Sequence, residues 1–140
     1  MRKLLLLFFM AVMLIFGMSM RSPAEIIPVD DEELYMLSHL ICGEAEGCSW
    51  EMKISVGSVV LNRMKDERFP DTMAEVIFQP GQYACTWDGN YDREPSNDTV
   101  KAAQTLLEDG SQLDESVVWQ AEFPQGVGVY DQIGNMYFCY

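Results

Sequence analysis

The sequence is poor in the residues that most often carry metal-dependent or nucleophilic chemistry. It has a single histidine, His39, and contains neither a C-x-x-C pair nor a G-x-S-x-G segment. Although His39 and Cys42 stand at i and i+3, those gaps weigh against a zinc site and against a serine-type hydrolase. Positive charge is also scarce: nine Lys and Arg face 22 Asp and Glu, for a formal net charge of −13. A surface of that sign repels phosphate, so neither nucleic acid nor an anionic lipid headgroup is an expected partner. Internal repeats and low-complexity stretches are missing as well.

Long apolar runs are confined to the start. Arg2 and Lys3 precede an unbroken apolar stretch from Leu4 to Phe16, followed by small residues Gly17, Ser19, Ser22 and Ala24. The run is short for a membrane span and reads as an export signal over residues 1–24, with an uncleaved anchor as the alternative. No cysteine follows it closely, which weighs against lipoprotein processing. Without the cations Arg2, Lys3 and Arg21 the formal charge goes from −13 to −16. The expectation is a secreted or cell-envelope protein, monomeric and free of the membrane once the signal is removed, with residues 25–140 forming one domain.

Four cysteines, Cys42, Cys48, Cys85 and Cys139, remain in that domain. An even number in an exported chain favours disulfide pairing, with three possible connectivities.

The pattern over "VDDEELYMLSHLICGEA" predicts a helix, with Asp30 as N-cap and Glu33 three residues on. Ser49 caps a second helix, "WEMKISVGSVVLNRMK", whose apolar positions fall at helical spacing. Gly57 and Ser58 are poor helix formers in its middle, and small residues there predict a close helix crossing. Thr72 and Glu75 cap a short helix over "MAEVIF". The stretch "QPGQYACTWDGNYDREPSND" reads as a long, turn-rich loop whose aromatic residues argue against disorder. A further helix over about "DTVKAAQTLLEDG" stops at Gly110. "SVVWQAEF" alternates like a strand, and "GVGVYDQIGNMYFCY" reads as a hairpin turning near Gly134 and Asn135. The sum is an α+β domain, mostly helical with a small antiparallel β element.

Chemistry concentrates in "ICGEAEGCSW", residues 41–50. Glu44 falls at the end of the first helix, where the partial negative charge disfavours a carboxylate, and Glu46 adds a like charge two residues on. A carboxyl group that keeps its proton is what a general acid needs, whereas a solvated helix end is the plainer reading. In the long loop, Gln82, Tyr83, Trp87 and Tyr91 combine hydrogen-bonding ends with flat apolar faces, which suits a groove holding a sugar chain. A small satellite core is the alternative for Trp87. "DGNYD" matches the opening of a calcium loop but lacks its later glycine and glutamate, so a plain turn is expected.

Several of these segments together resemble the cell-wall hydrolase family that includes the catalytic domain of the spore cortex-lytic enzymes. Glu44-Ala45-Glu46-Gly47 matches the start of its E-A-x-G-E motif, and Val59-Val60-Leu61-Asn62-Arg63 its V-x-L-N-R helix end. Phe69-Pro70, Gly81-Gln82-Tyr83 and the Ile133-Gly134-Asn135 tail follow in the family's order. The likeness runs over about residues 34–140. It implies a lysozyme-like fold related to lytic transglycosylases, acting on peptidoglycan glycan strands with Glu44 as acid/base and no metal or cofactor. Glu46 and the loop residues Gln82, Tyr83, Trp87 and Tyr91 would then contact substrate. A hydrolytic muramidase would instead need a partner carboxylate, for which Glu51 and Glu46 are nearest in sequence. Asn62 and Arg63 read as structural, with the guanidinium tied to a buried carboxylate or to helix-end carbonyls. Cys48 replaces the family's second glutamate, and Met136 stands where many members carry histidine. Those departures leave room for a weakly active, wall-binding accessory module.

Overall fold

The computed structural model describes residues 29–140, so the export signal expected over residues 1–24 lies outside them. Helix α1 runs Asp31–Ala45, and the Asp30 carboxylate accepts from the Glu32 and Glu33 N–H groups at its start. This satisfies donors that the first turn leaves free. Its inward stripe of Leu37, Leu40 and Ile41 is fully buried. Helix α2, Trp50–Arg63, begins at Ser49, whose hydroxyl accepts from the Met52 N–H. Almost the whole of α2 beyond its first turn is buried, which makes it the central helix. The short α3, Met73–Ile77, is capped by Thr72.

The packing of α2 depends on a residue with no side chain. A Cβ added at Gly57 would overlap Leu106 Cδ1 and lie 2.9 Å from Ile41 Cδ1. Glycine therefore lets α1 and α5, Asn97–Asp109, close on the middle of α2 from two directions. Beside it, the wholly buried Ser58 accepts from the Gln112 N–H at 3.0 Å.

The stretch read as a loop over residues 79–98 holds two short pieces of helix: α4, Cys85–Asp88, and a 3-10 turn, Asn90–Asp92. Gly89, at φ +89°, joins them in a backbone conformation that favours glycine. Ser96 then caps α5 through the Thr99 N–H.

The sheet has three antiparallel strands: β1, Trp119–Ala121, β2, Val129–Ile133, and β3, Met136–Cys139. Their order is β1-β3-β2, with Trp119 opposite Cys139 and Ile133 opposite Met136. The β2–β3 hairpin turns at Gly134 and Asn135 as the sequence predicts. Strand β1 is shorter than the alternation over "SVVWQAEF" implies, because side chains of α2 have taken the carbonyls before it. Asn62 Nδ2 donates to the Asp114 and Val117 carbonyls at 2.8 and 2.9 Å, and Arg63 Nε donates to Val118 at 2.7 Å. Arg63 is thus tied to a loop carbonyl instead of the carboxylate or helix end expected of it.

The disulfide expectation is corrected here: Cys42, Cys48, Cys85 and Cys139 are all free thiols. Each faces a different neighbourhood. Cys42 Sγ points at the Arg93 and Glu94 carbonyls, Cys85 presses on α1, Cys139 Sγ lies 3.5 Å from the Gln125 N–H, and Cys48 is exposed. Among the described residues no helix is long and apolar enough to cross a membrane.

Two predictions follow from this packing. Gly57→Val should destabilise the fold by about 1–3 kcal/mol through overpacking, measured by urea unfolding. A thiol reagent should label Cys48 alone in the native protein and reach the other three cysteines only in denaturant, as counted by mass.

Candidate active site

The last turn of α1 carries the residues of interest. Glu44 is half-buried there, one residue after Gly43. A Cβ at Gly43 would lie 2.5 Å from Cys85 Cβ and 2.9 Å from Cys85 Sγ. The missing side chain lets the start of α4 settle on α1 beside Glu44. Burial, with a smaller push from the negative charge of Glu44, holds the Cys85 thiol well above the usual thiol range.

Tyr83, two residues before Cys85, has 1% of its surface exposed. Burial, with a smaller push from Glu44, raises its hydroxyl to about 12 against the opposing pull of Arg63. The Arg63 guanidinium is boxed by three rings, 4.9 Å from Phe69, 5.1 Å from Tyr83 and 5.6 Å from Trp119. Its Nη1 and the Tyr83 hydroxyl are buried without a well-formed hydrogen bond among the described residues.

Glu46 does different work. Its Oε1 accepts from the Ser96 N–H at 3.0 Å and its Oε2 from the Thr99 hydroxyl at 2.7 Å. This carboxylate therefore sits at the N-terminus of α5, where the backbone donors and the helix dipole favour negative charge. Burial pulls Glu46 upward, but the hydrogen bonds led by Ser96 and Thr99 outweigh it and hold the carboxyl at about 2. A second tether, Lys53 Nζ to Asp98 at 2.9 Å, fixes the same helix start to α2.

The other residues singled out from sequence scatter around this turn. Trp87, on α4, is 61% exposed and offers a flat face to solvent. Gln82 is half-buried just before α4. Tyr91 is buried, unlike the groove-lining residue expected; its carbonyl pairs with His39 Nδ1 at 2.7 Å, and its ring packs edge-on against Phe78. Glu51 is exposed in the first turn of α2. Cys48 lies in the turn between α1 and α2, its N–H bonded to the Ala45 carbonyl, and Met136 is half-buried against the core from β3. Two open depressions, of about 550 Å³ around Lys65, Arg68 and Glu115 and about 500 Å³ around Ala74 and Phe78, are not lined by Glu44.

Gly43 and Cys85, as neighbours of Glu44, escaped the sequence reading. The usable signal was a glycine inside a predicted helix, the feature that revealed the crossing at Gly57.

A sequence profile of the Cell Wall Hydrolase family matches residues 47–139, more than half of the chain. The chain belongs to the cell wall hydrolase family. Its relatives include the spore cortex-lytic enzyme of Oceanobacillus iheyensis, 33% identical over 76 residues, which are 54% of this chain and 26% of that protein. That of Bacillus subtilis is 32% identical over 73 residues, 52% of this chain and 24% of the relative. The aligned stretch is thus about a quarter of the length of these relatives. In structure, the catalytic domain of Bacillus cereus SleB superposes with a TM-score of 0.70 at 20% identity, covering 81% of this chain and 94% of that domain. The catalytic domain of the germination-specific lytic transglycosylase SleB of Bacillus anthracis gives 0.68 at 21% identity, covering 79% and 96%. These likenesses establish the lysozyme-like α+β fold that the motifs imply. Glu44 and Glu46 lie just N-terminal to the stretch that the family profile matches.

The position of Glu46 sets a pH dependence. Its folded carboxyl is held below the ordinary value of 4.5, so its stabilisation is complete above that value and is lost as pH falls toward about 2. Glu46→Gln should therefore lose less stability than wild type across that window, measured by urea unfolding at stepped pH.

Proposed function

We propose that this protein cleaves peptidoglycan glycan strands between N-acetylmuramic acid and N-acetylglucosamine, as a lytic transglycosylase with Glu44 as its single acid/base. The observation that carries this reading is the unequal engagement of the two motif acids. Both oxygens of Glu46 are held by α5. Glu44, half-buried at the same helix end, has no side-chain hydrogen bond or ion pair among the described residues, which leaves its carboxyl free for a ligand. Family membership supports a wall substrate, and the exposed face of Trp87 supports a stacked sugar ring near the site.

In the reaction, Glu44 gives its proton to the oxygen bridging the two sugars as the bond from that oxygen to muramic C1 breaks. The carboxylate so formed takes the proton of the muramic 6-hydroxyl, and O6 bonds to C1 to close a 1,6-anhydro ring. Glu44 regains its proton, and no water is consumed. Neither a metal nor a second carboxylate enters these steps. Hydrolysis would require a partner carboxylate to activate water. Of the two candidates, Glu46 is committed to α5, and Glu51 stands exposed at the start of α2.

Gln82 and Trp87 are assigned to substrate contact. Tyr83 and Tyr91 support the site from beneath, and Glu46 fixes the end of α1. The protein acts as an exported monomer on the envelope.

Glu44→Gln should reduce release of soluble glycan from purified peptidoglycan by about a hundredfold or more, the usual scale for removing a general acid. Its unfolding curve should stay close to that of wild type. Equal release by both proteins would refute the assignment. Binding to insoluble wall without release by wild type would identify an accessory module instead.

A further inference from the structure

Away from Glu44, the far end of α2 opens into a depression of about 550 Å³ walled by Asn62, Lys65, Asp66, Glu67, Arg68 and Glu115. That is room for a small ligand. Its charges are unusual for so acidic a chain. Lys53 and Arg63 are buried, so Lys65, Arg68, Arg93 and Lys101 are the exposed cations of the described residues, and two of them meet here. Arg68 is already committed: its Nε and Nη2 donate to Asp66 Oδ1 and Oδ2 at 2.9 and 2.7 Å, a fork that neutralises both groups. Lys65, Glu67 and Glu115 have no ion pair among the described residues. Asn62 is 1% exposed and fixed from within, its Nδ2 donating to the Asp114 and Val117 carbonyls. Any further bond from this wall residue therefore falls to its amide oxygen, an acceptor.

We propose that this depression binds an α-amino acid zwitterion, presented by the free end of a diamino acid in a peptidoglycan peptide stem. Lys65 takes the carboxylate. Glu67, Glu115 and the Asn62 amide oxygen take the ammonium, aided by the partial negative charge at the C-terminus of α2. The two signs select the ligand. A simple anion meets two unpaired carboxylates, a simple amine leaves Lys65 without a partner, and no aromatic ring lines the wall to stack a neutral sugar. The choice of a stem as the carrier rests on the wall substrate proposed above, whereas the zwitterion rests on the depression alone. Stems hang from muramic sugars along a strand, so one of them engages α2 while Glu44 acts on the glycan.

The test titrates the tripeptide L-alanyl-γ-D-glutamyl-meso-diaminopimelate into ¹⁵N-labelled protein. Two control peptides are acetylated on the distal amine or amidated on the distal carboxylate. The intact peptide should shift the backbone N–H signals of Lys65 and Glu115 saturably. Each capped peptide should bind at least about tenfold more weakly, because it lacks one of the two charges. Lys65→Glu should weaken the intact peptide by a similar factor, and its thermal unfolding should match wild type because the side chain is exposed. Absence of shifts with the tripeptide overturns the proposal, as does equal affinity of wild type and Lys65→Glu or of the intact and capped peptides. A second arm adds soluble glycan strands, with stems or stripped of them by an amidase, to Glu44→Gln, which leaves the strands whole. Only strands with stems should shift the two signals; a tripeptide that binds where such strands do not would overturn the stem assignment. If wild type releases no glycan while the tripeptide still binds, the cleavage reading fails and the zwitterion site stands.

Discussion

The close approach of three helices at Gly57 is the constraint on which the structure depends. Helix α2 is buried along most of its length, and only a residue without a Cβ lets Ile41 of α1 and Leu106 of α5 meet across its middle. Once α1 and α5 are fixed against α2, the end of α1 comes to the start of α5. There Glu46 joins them, and Lys53 and Asp98 add a second tie between α2 and α5. The further end of α2 does the same for the sheet. Asn62 and Arg63 hold the carbonyls of residues 114, 117 and 118, so the strand that follows is delivered in register to β3.

This arrangement separates the two acids of one short motif. They stand two residues apart on the last turn and its cap, so they point to different sides of the helix axis. Glu46 meets the N-terminus of α5, where a fixed negative charge stabilises. Glu44 stands beside Gly43, the point where Cys85 of α4 packs on α1. One acid is committed to holding the fold, and the proposed function gives the proton-transfer role to the other. Cys48 lies outside this division, in the exposed turn between α1 and α2.

Local features were legible in the sequence. Asp30, Ser49 and Thr72 cap the helices they were expected to cap, because a cap is decided within three residues, and Gly57 announced a crossing because nothing else explains a glycine there. The site was legible only in outline. Glu46 binds partners 50 and 53 residues away, and Arg63 reaches a carbonyl 55 residues away, so neither role could be read from neighbours in the chain. The long loop hid α4 because four residues give almost no periodic signal. Cysteine count favoured disulfides, but pairing needs two side chains in one place, and the fold sends each of the four to a different one. Burial removed Tyr83 and Tyr91 from the groove for the same reason: amphipathic residues in a turn-rich segment can face either way until the core claims them.

The central claim is that one carboxyl, Glu44, both delivers and recovers the proton, with no water taking part. The mass of the released fragments tests it most directly. Digestion of purified peptidoglycan should yield fragments ending in 1,6-anhydro-muramic acid, each lighter by one water than its hydrolytic counterpart. Fragments with reducing muramic ends, carrying that water, would contradict the account.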